Sequence, residues 1–279
     1  MKFKLAFGSL ALVFGFFAAA DSFAQSANPL LLAEFPAAAR AHAPAFALDS
    51  SSSVPFWFPW VIGGAVAIAL IFIARSGSKK RAKAVESAAI SMGFTYEGDG
   101  KNLVAQIGKA PIRLFSMGHS KVITNVLRGS DGITIFDYQY TTGSGRYSNT
   151  QYQTVAAFTY PAASIPTFQF GPEHWYHKVG NVVGFQLIRF DSHPSFTKRF
   201  LLRGPDESAI RSFFMPPLLS YFESLPEKPS WCIEATGPLL LVYVHSHRAK
   251  PEMLRNFATD TSAIAAQIAA NAGMRLTHA

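Results

Sequence analysis

Gly132–Tyr160 reads GITIFDYQYTTGSGRYSNTQYQTVAAFTY. Its first nine residues alternate, with Ile133, Ile135, Asp137 and Gln139 on one side and Thr134, Phe136, Tyr138 and Tyr140 on the other. That is the period of two expected of a strand. Thr150–Tyr160 is a second run rich in β-formers, and Thr141–Asn149 between them carries glycines, serines and an asparagine, the chemistry of a turn. The stretch predicts an antiparallel hairpin.

The rest of the C-terminal part fits around it. Trp231–Ala235 and Leu239–His245 flank Thr236-Gly237-Pro238 as a second hairpin. Ile112–Ser116, Lys121–Arg128, Thr167–Phe170 and Phe196–Arg203 read as further strands. Lys80–Gly93 reads as an amphipathic helix that ends on Gly93 and starts after a break at Ser76-Gly77-Ser78. Glu173–Val179 predicts a helical turn or two. Asp206 is placed to cap a helix bearing Ile210, Phe213 and Phe214, which Pro216-Pro217 kinks or restarts before Leu218, Leu219 and Phe222. Pro251–Ala272 is a closing helix with Leu254, Phe257, Thr261, Ile264 and Ile268 as its inner stripe. Paired strands with a few helices, without regular βαβ alternation, indicate an α+β body with a largely antiparallel sheet and flanking helices.

Upstream lies Val54–Ala74, VPFWFPWVIGGAVAIALIFIA, with no charged residue. As a helix it would extend about 30 Å, the thickness of a bilayer's hydrocarbon core. Arg75, Lys79, Lys80, Arg81 and Lys83 follow with no acid among them. Such residues stay on the cytoplasmic side and contact anionic lipid head groups. Residues 1–24 have the form of a signal peptide: Lys2 and Lys4, then apolar Leu5–Ala20, then Ser22-Phe23-Ala24 as a cleavage site. Residues 25–53 are too short and Ala-rich to build a core and read as a flexible tail outside the cytoplasm. The expected organisation is a single transmembrane helix at 54–74, a basic segment at 75–84 and a cytoplasmic domain at 85–279.

The chain holds 25 Lys+Arg against 17 Asp+Glu, a net charge of +8. Beyond the basic segment only 17 basic residues face 14 acidic ones, so the charge reflects anchoring and argues against nucleic acid as a partner. Cys232 is the sole cysteine, which excludes an internal disulfide and a multi-cysteine metal site.

Three stretches carry a resemblance: Arg189–Phe214 (RFDSHPSFTKRFLLRGPDESAIRSFF), Phe136–Phe158 (FDYQYTTGSGRYSNTQYQTVAAF) and Leu239–Ser246 (LLLVYVHS). Most of Leu114–Ser246 resembles a family of uncharacterised bacterial membrane-associated proteins. The resemblance implies a bacterial source and one cytoplasmic module, which with the uncharged stretch and basic cluster gives the bacterial inner (cytoplasmic) membrane as the expected location. It implies no activity and no site residue.

Chemistry-bearing residues are sparse. Asp191-Ser192-His193 has the residue types of a hydrolase triad, but neighbours in sequence cannot converge as a triad does, and no GxSxG elbow is present. A membrane-tethered hydrolase would have to draw on Asp191, His193 and Glu207. His174 and His177, or His245 and His247 on one strand face, would offer paired metal ligands without the carboxylate or cysteine set that completes a site. Gly143-Ser144-Gly145-Arg146 lacks the ending of a P-loop and reads as the hairpin turn. No cofactor is expected. The sequence thus favours a membrane-tethered binding or scaffold module, its partners the lipid bilayer and another membrane protein.

Overall fold

The computed structural model describes residues 55, 57–108, 110–130, 132–161, 165–172 and 184–272, with backbone alone at 70–75. The signal-peptide and tail assignments, and the helical turn at Glu173–Val179, lie outside the described residues. The chain divides into two units, Met1–Gly64 and Ala65–Ala279. In the first, the helix start is described: Phe58 N donates to Pro55 O at 2.8 Å and Val61 N to Trp57 O at 3.1 Å.

In chain order the elements are helix α1 (Phe58–Met92), strand β1 (Thr95–Asp99), helices α2 (Lys101–Ile107) and α3 (Arg113–Ser116), and strands β2 (His119–Arg128) and β3 (Ile133–Thr142). Strands β4 (Asn149–Thr159), β5 (Ile165–Pro172) and β6 (Gln186–Ile188) follow, then helix α4 (Pro194–Arg199), strand β7 (Phe200–Gly204), and helices α5 (Glu207–Phe213) and α6 (Pro216–Ser224). Strands β8 (Trp231–Gly237) and β9 (Leu239–Val244) and helix α7 (Leu254–Asn271) complete the fold. The strands form one nine-stranded sheet, ordered β1-β2-β3-β4-β9-β8-β5-β7-β6, and every neighbouring pair is antiparallel. The α+β class with an antiparallel sheet is what the strand pairing predicts.

Both hairpins form. Ile133 pairs with Phe158 and Thr142 with Asn149, the turn between closing on a 3-10 turn at Gly145–Tyr147. Trp231 pairs with Val244 and Thr236 with Leu239. Both faces of β3 are buried, so its alternation separates two cores. Ile133 and Ile135 join Phe168, Phe170, Leu202, Ile233 and Val242 under α1, α4, α5, α6 and α7. Phe136, Tyr138 and Tyr140 join Val155, Cys232, Leu241 and Tyr243 under α2 and α3. The first core centres on stacked and tilted rings, with Phe170 4.5 Å from Phe222 and 4.8 Å from Phe200 between centroids. The stripe of α7 is buried as its period requires: Leu254, Phe257, Thr261, Ile264 and Ile268 all face inward.

Local chemistry sets the boundaries. Gly93, at φ +75°, ends α1, with Phe94 N bonded to Ala89 O and Gly93 N to Ile90 O, the paired closure of a left-handed C-cap. Asp206 caps α5, accepting from Ala209 N at 2.9 Å. Asp206→Ala is expected to cost about 1 kcal/mol, read as a lower urea midpoint for the full chain in neutral detergent. Pro216 and Pro217 occupy the first turn of α6, where the missing N–H groups cost nothing.

Three expectations are corrected. Ser76-Gly77-Ser78 does not break the helix, and α1 runs through it as one 35-residue element. Phe196–Arg203 is a strand only from Phe200. Before it, Pro194 opens α4, Glu223 accepts from Phe196 N at 2.9 Å, and Phe196 is buried among the rings. Ile112–Ser116 is helix from Arg113, because the Glu234 carboxylate takes the first free N–H groups of α3. β1, α2 and β6 carried too few apolar residues to show a period. The structure also extends β5 beyond Thr167–Phe170 at both ends. Among the described residues no helix is long and apolar enough to cross a membrane. The single-span organisation therefore stands as a proposal, taken up below.

Candidate functional site

Two polar groups interrupt the cores, one on each face of the sheet. On the first face, Asp137 of β3 is 5% exposed and surrounded by donors. Arg81 of α1 grips it bidentately, Nε to Oδ2 at 2.7 Å and Nη2 to Oδ1 at 2.8 Å, while Nη2 also donates to Ala249 O at 2.9 Å. Asn125 Nδ2 (2.8 Å), Thr154 Oγ1 (2.9 Å) and Arg248 Nε (3.2 Å) complete the set. Desolvation raises the Asp137 pKa, but the Arg81 hydrogen bonds, the charges of Arg248 and Arg81 and the Asn125 bond outweigh it, holding the carboxyl below its ordinary value. The arrangement is a clamp that fastens α1 to the sheet.

On the second face lies Glu234 of β8, 1% exposed. It accepts from Arg113 N at 2.7 Å, from Leu114 N at 3.2 Å and from Tyr243 Oη at 2.7 Å. Full burial pushes its pKa up to about 7, against the pull of Tyr243, the two backbone N–H groups and the Arg113 charge. Burial also raises Tyr140 to about 12, with the Glu234 charge adding to it. Beside this group opens a cleft of about 590 Å³ whose walls include Arg113, Ser116, Tyr140, Asn149, Gln151 and His245. Such a volume suits a small molecule. A smaller cleft of about 250 Å³ lies by Phe200 and Trp231, but its Arg199 already donates to Glu223 O and Leu225 O.

The sequence candidates lie elsewhere. Asp191 is exposed. His193 pairs with Glu223, Nδ1 to Oε2 at 3.1 Å. Glu207 pairs with Arg211 at 2.7 Å. No bond joins Asp191, His193 and Glu207 among the described residues. His174 and His177 lie outside the described residues. His245 and His247 do not share a strand face, because β9 ends at Val244 and a turn with Ser246 at φ +54° follows. Among the described residues no group of three or more His, Cys, Asp or Glu side chains is arranged to hold a metal. Of the basic cluster, Lys79, Lys80 and Lys83 are exposed, the Arg75 side chain lies outside the described residues, and Arg81 is turned to Asp137. That overturns Arg81 as a lipid contact, since its donors are engaged inside the protein. Cys232 is fully buried, and burial raises its thiol well above the ordinary value, as expected of an inert core residue.

Glu234 escaped the sequence reading. The signal was a lone acid inside an apolar strand, two residues from Cys232 and so on the same face. An acid there needs donors, and they come from a segment about 120 residues away that read as another strand.

No family model matches the chain, and no curated protein matches it. Among solved structures, the crystal structure of the mycobacterial trehalose monomycolate transport factor A, TtfA, is similar at a TM-score of 0.48 and 12% identity, over 68% of this chain and 95% of that one. A likeness of that degree carries no argument about this chain.

Proposed function

We propose that the chain is a single-pass protein of the bacterial inner membrane that presents a binding module in the cytoplasm. The observation that carries this reading is α1 itself. One helix leads from the uncharged stretch through the basic cluster and into the body, where Val85 and Ala89 are buried and Arg81 holds Asp137. In this reading 54–74 is the span, Lys79, Lys80 and Lys83 meet anionic head groups, and Arg81 ties the anchor to the sheet.

The alternative, a hydrolase near Asp191 and His193, draws no support from side chains that are exposed or already paired. Topology is the test. A C-terminal fluorescent-protein fusion is expected to fluoresce, and a C-terminal alkaline phosphatase fusion to be inactive. Active phosphatase with a dark fluorescent fusion would place the body outside the cytoplasm and overturn the reading.

A further inference from the structure

The cleft beside Glu234 is polar, and its charge is one-sided. Arg113 supplies the charge on its walls, and among the described residues no Asp or Glu lines it. Glu234 lies behind, with its oxygens committed to Arg113 N, Leu114 N and Tyr243 Oη. A second cation, Arg203, is 8% exposed in the same face, where register places it beside Gln169 and Gln169 beside Glu234. Burial and the charge of Arg113 lower its pKa, so the two guanidiniums sense each other.

Among the described residues, two buried donors near the cleft have no acceptor. Arg113 Nε is buried with no hydrogen-bond partner. Gln153, 0% exposed and two residues along β4 from the cleft-lining Gln151, accepts from Ser246 N through Oε1 at 3.1 Å, while its Nε2 has no partner. A buried donor left without an acceptor is costly, and an acceptor-rich ligand relieves that cost at Arg113, which lines the cleft. The other walls carry groups that both donate and accept: the hydroxyls of Ser116 and Tyr140 and the carboxamides of Asn149 and Gln151. A bare inorganic anion would leave most of 590 Å³ unfilled, so the cleft has room for an anion carried on a larger hydroxylated body.

We propose that this cleft binds a small phosphate carried on a polyol, with Arg113 as its counter-ion and Ser116, Tyr140, Asn149 and Gln151 reading its oxygens. The ligand is either a soluble sugar or glycerol phosphate or the same chemistry in a lipid head group. The inference rests on the binding-module reading but not on the topology.

The test is calorimetric titration of the full chain in neutral detergent with sn-glycerol 3-phosphate. Saturable binding is expected, weakened roughly tenfold to a hundredfold in Arg113→Gln, as for loss of a charge-assisted hydrogen bond. Asn149→Ala is expected to weaken it severalfold and Lys198→Gln, a surface change elsewhere, to leave it unchanged. Glu234 holds the backbone N of Arg113, not its side chain, so Arg113→Gln keeps the α3 cap; Asn149→Ala carries the test if that variant fails to fold. A second arm repeats the titration in nanodiscs of phosphatidylcholine with and without phosphatidylglycerol. Loss of binding only with phosphatidylglycerol identifies the head group as the source, and retained binding identifies a soluble phosphate. Absence of saturable binding in detergent, or binding indifferent to both Arg113→Gln and Asn149→Ala, overturns the proposal. Detergent titration needs no membrane, so that failure leaves the anchored topology standing.

Discussion

Asp137→Ala is expected to destabilise the folded body by about 3–5 kcal/mol, the range seen when one partner of a buried ion pair is removed. Five hydrogen bonds from four residues converge on this carboxylate, and its side chain is 5% exposed. Without it Arg81, 15% exposed, and Arg248, 33% exposed, lose the carboxylate they share, and no other ion pair to either is found among the described residues. Asn125 Nδ2 loses its acceptor as well. Arg81→Ala is expected to cost less, because Arg248 and Asn125 still serve the carboxylate. The double variant should cost less than the two single changes together, since each removes the same pair. Urea unfolding of the full chain in neutral detergent reads these values. A cost below about 1 kcal/mol for Asp137→Ala would mean the pair behaves as a surface ion pair.

The same carboxylate sets an acid limit. Its folded pKa lies below the ordinary 3.8. Its stabilisation is therefore full above that value and lost as the pH falls through the lower, folded one. Acid unfolding of the wild type should accordingly be steeper than that of Asp137→Asn, which has no proton to take up at this site.

How much of this was legible follows from the range over which each signal acts. The hairpins, the Asp206 cap, the Pro216-Pro217 restart and the α7 stripe depend on residues within a few positions of one another, and the sequence shows them directly. Asp137 was seen to share a face with Ile133 and Ile135. What could not be read was that this face is covered, and that its counter-ion sits 56 residues upstream in a cluster whose composition pointed to lipid. Segment Ile112–Ser116 failed for the same reason. Its apolar residues fit a strand or a buried helical turn equally well, and Glu234, distant in sequence, decides for the turn. Phe196–Thr197 looked like strand because aromatic and β-branched residues favour it, yet Pro194 and the Glu223 carboxylate start a helix there. Candidate chemistry suffered most. A scan for residue types finds Asp191 and His193, which are near in sequence, and misses Glu234 and Arg113, which only the fold brings together.

Glu234 should give the protein a pH dependence opposite in sign to that of Asp137. Its folded pKa is raised, from the ordinary 4.5 to about 7, because burial disfavours the charge more than its donors favour it. Between those values the native state holds a proton that the unfolded state has released, so stability falls as the pH rises across the window. The loss amounts to about 3 kcal/mol. Below about 4.5 both states are protonated, and above about 7 both are ionised, so the contribution is flat on either side. The groups facing the carboxyl are Tyr243, Arg113, Tyr138, Tyr140 and Cys232. All the tyrosines and the thiol among them are shifted upward, so none titrates in the window. Glu234→Gln keeps the shape and one acceptor oxygen but presents an N–H₂ group to donors, so it should carry a constant cost at every pH. The diagnostic is the difference between the unfolding free energies of wild type and Glu234→Gln, measured from pH 4 to pH 8. That difference should shift by about 3 kcal/mol against the wild type as the pH rises. Parallel curves would show that the three donors, with Arg113, offset the burial and leave the carboxyl at its ordinary pKa of 4.5.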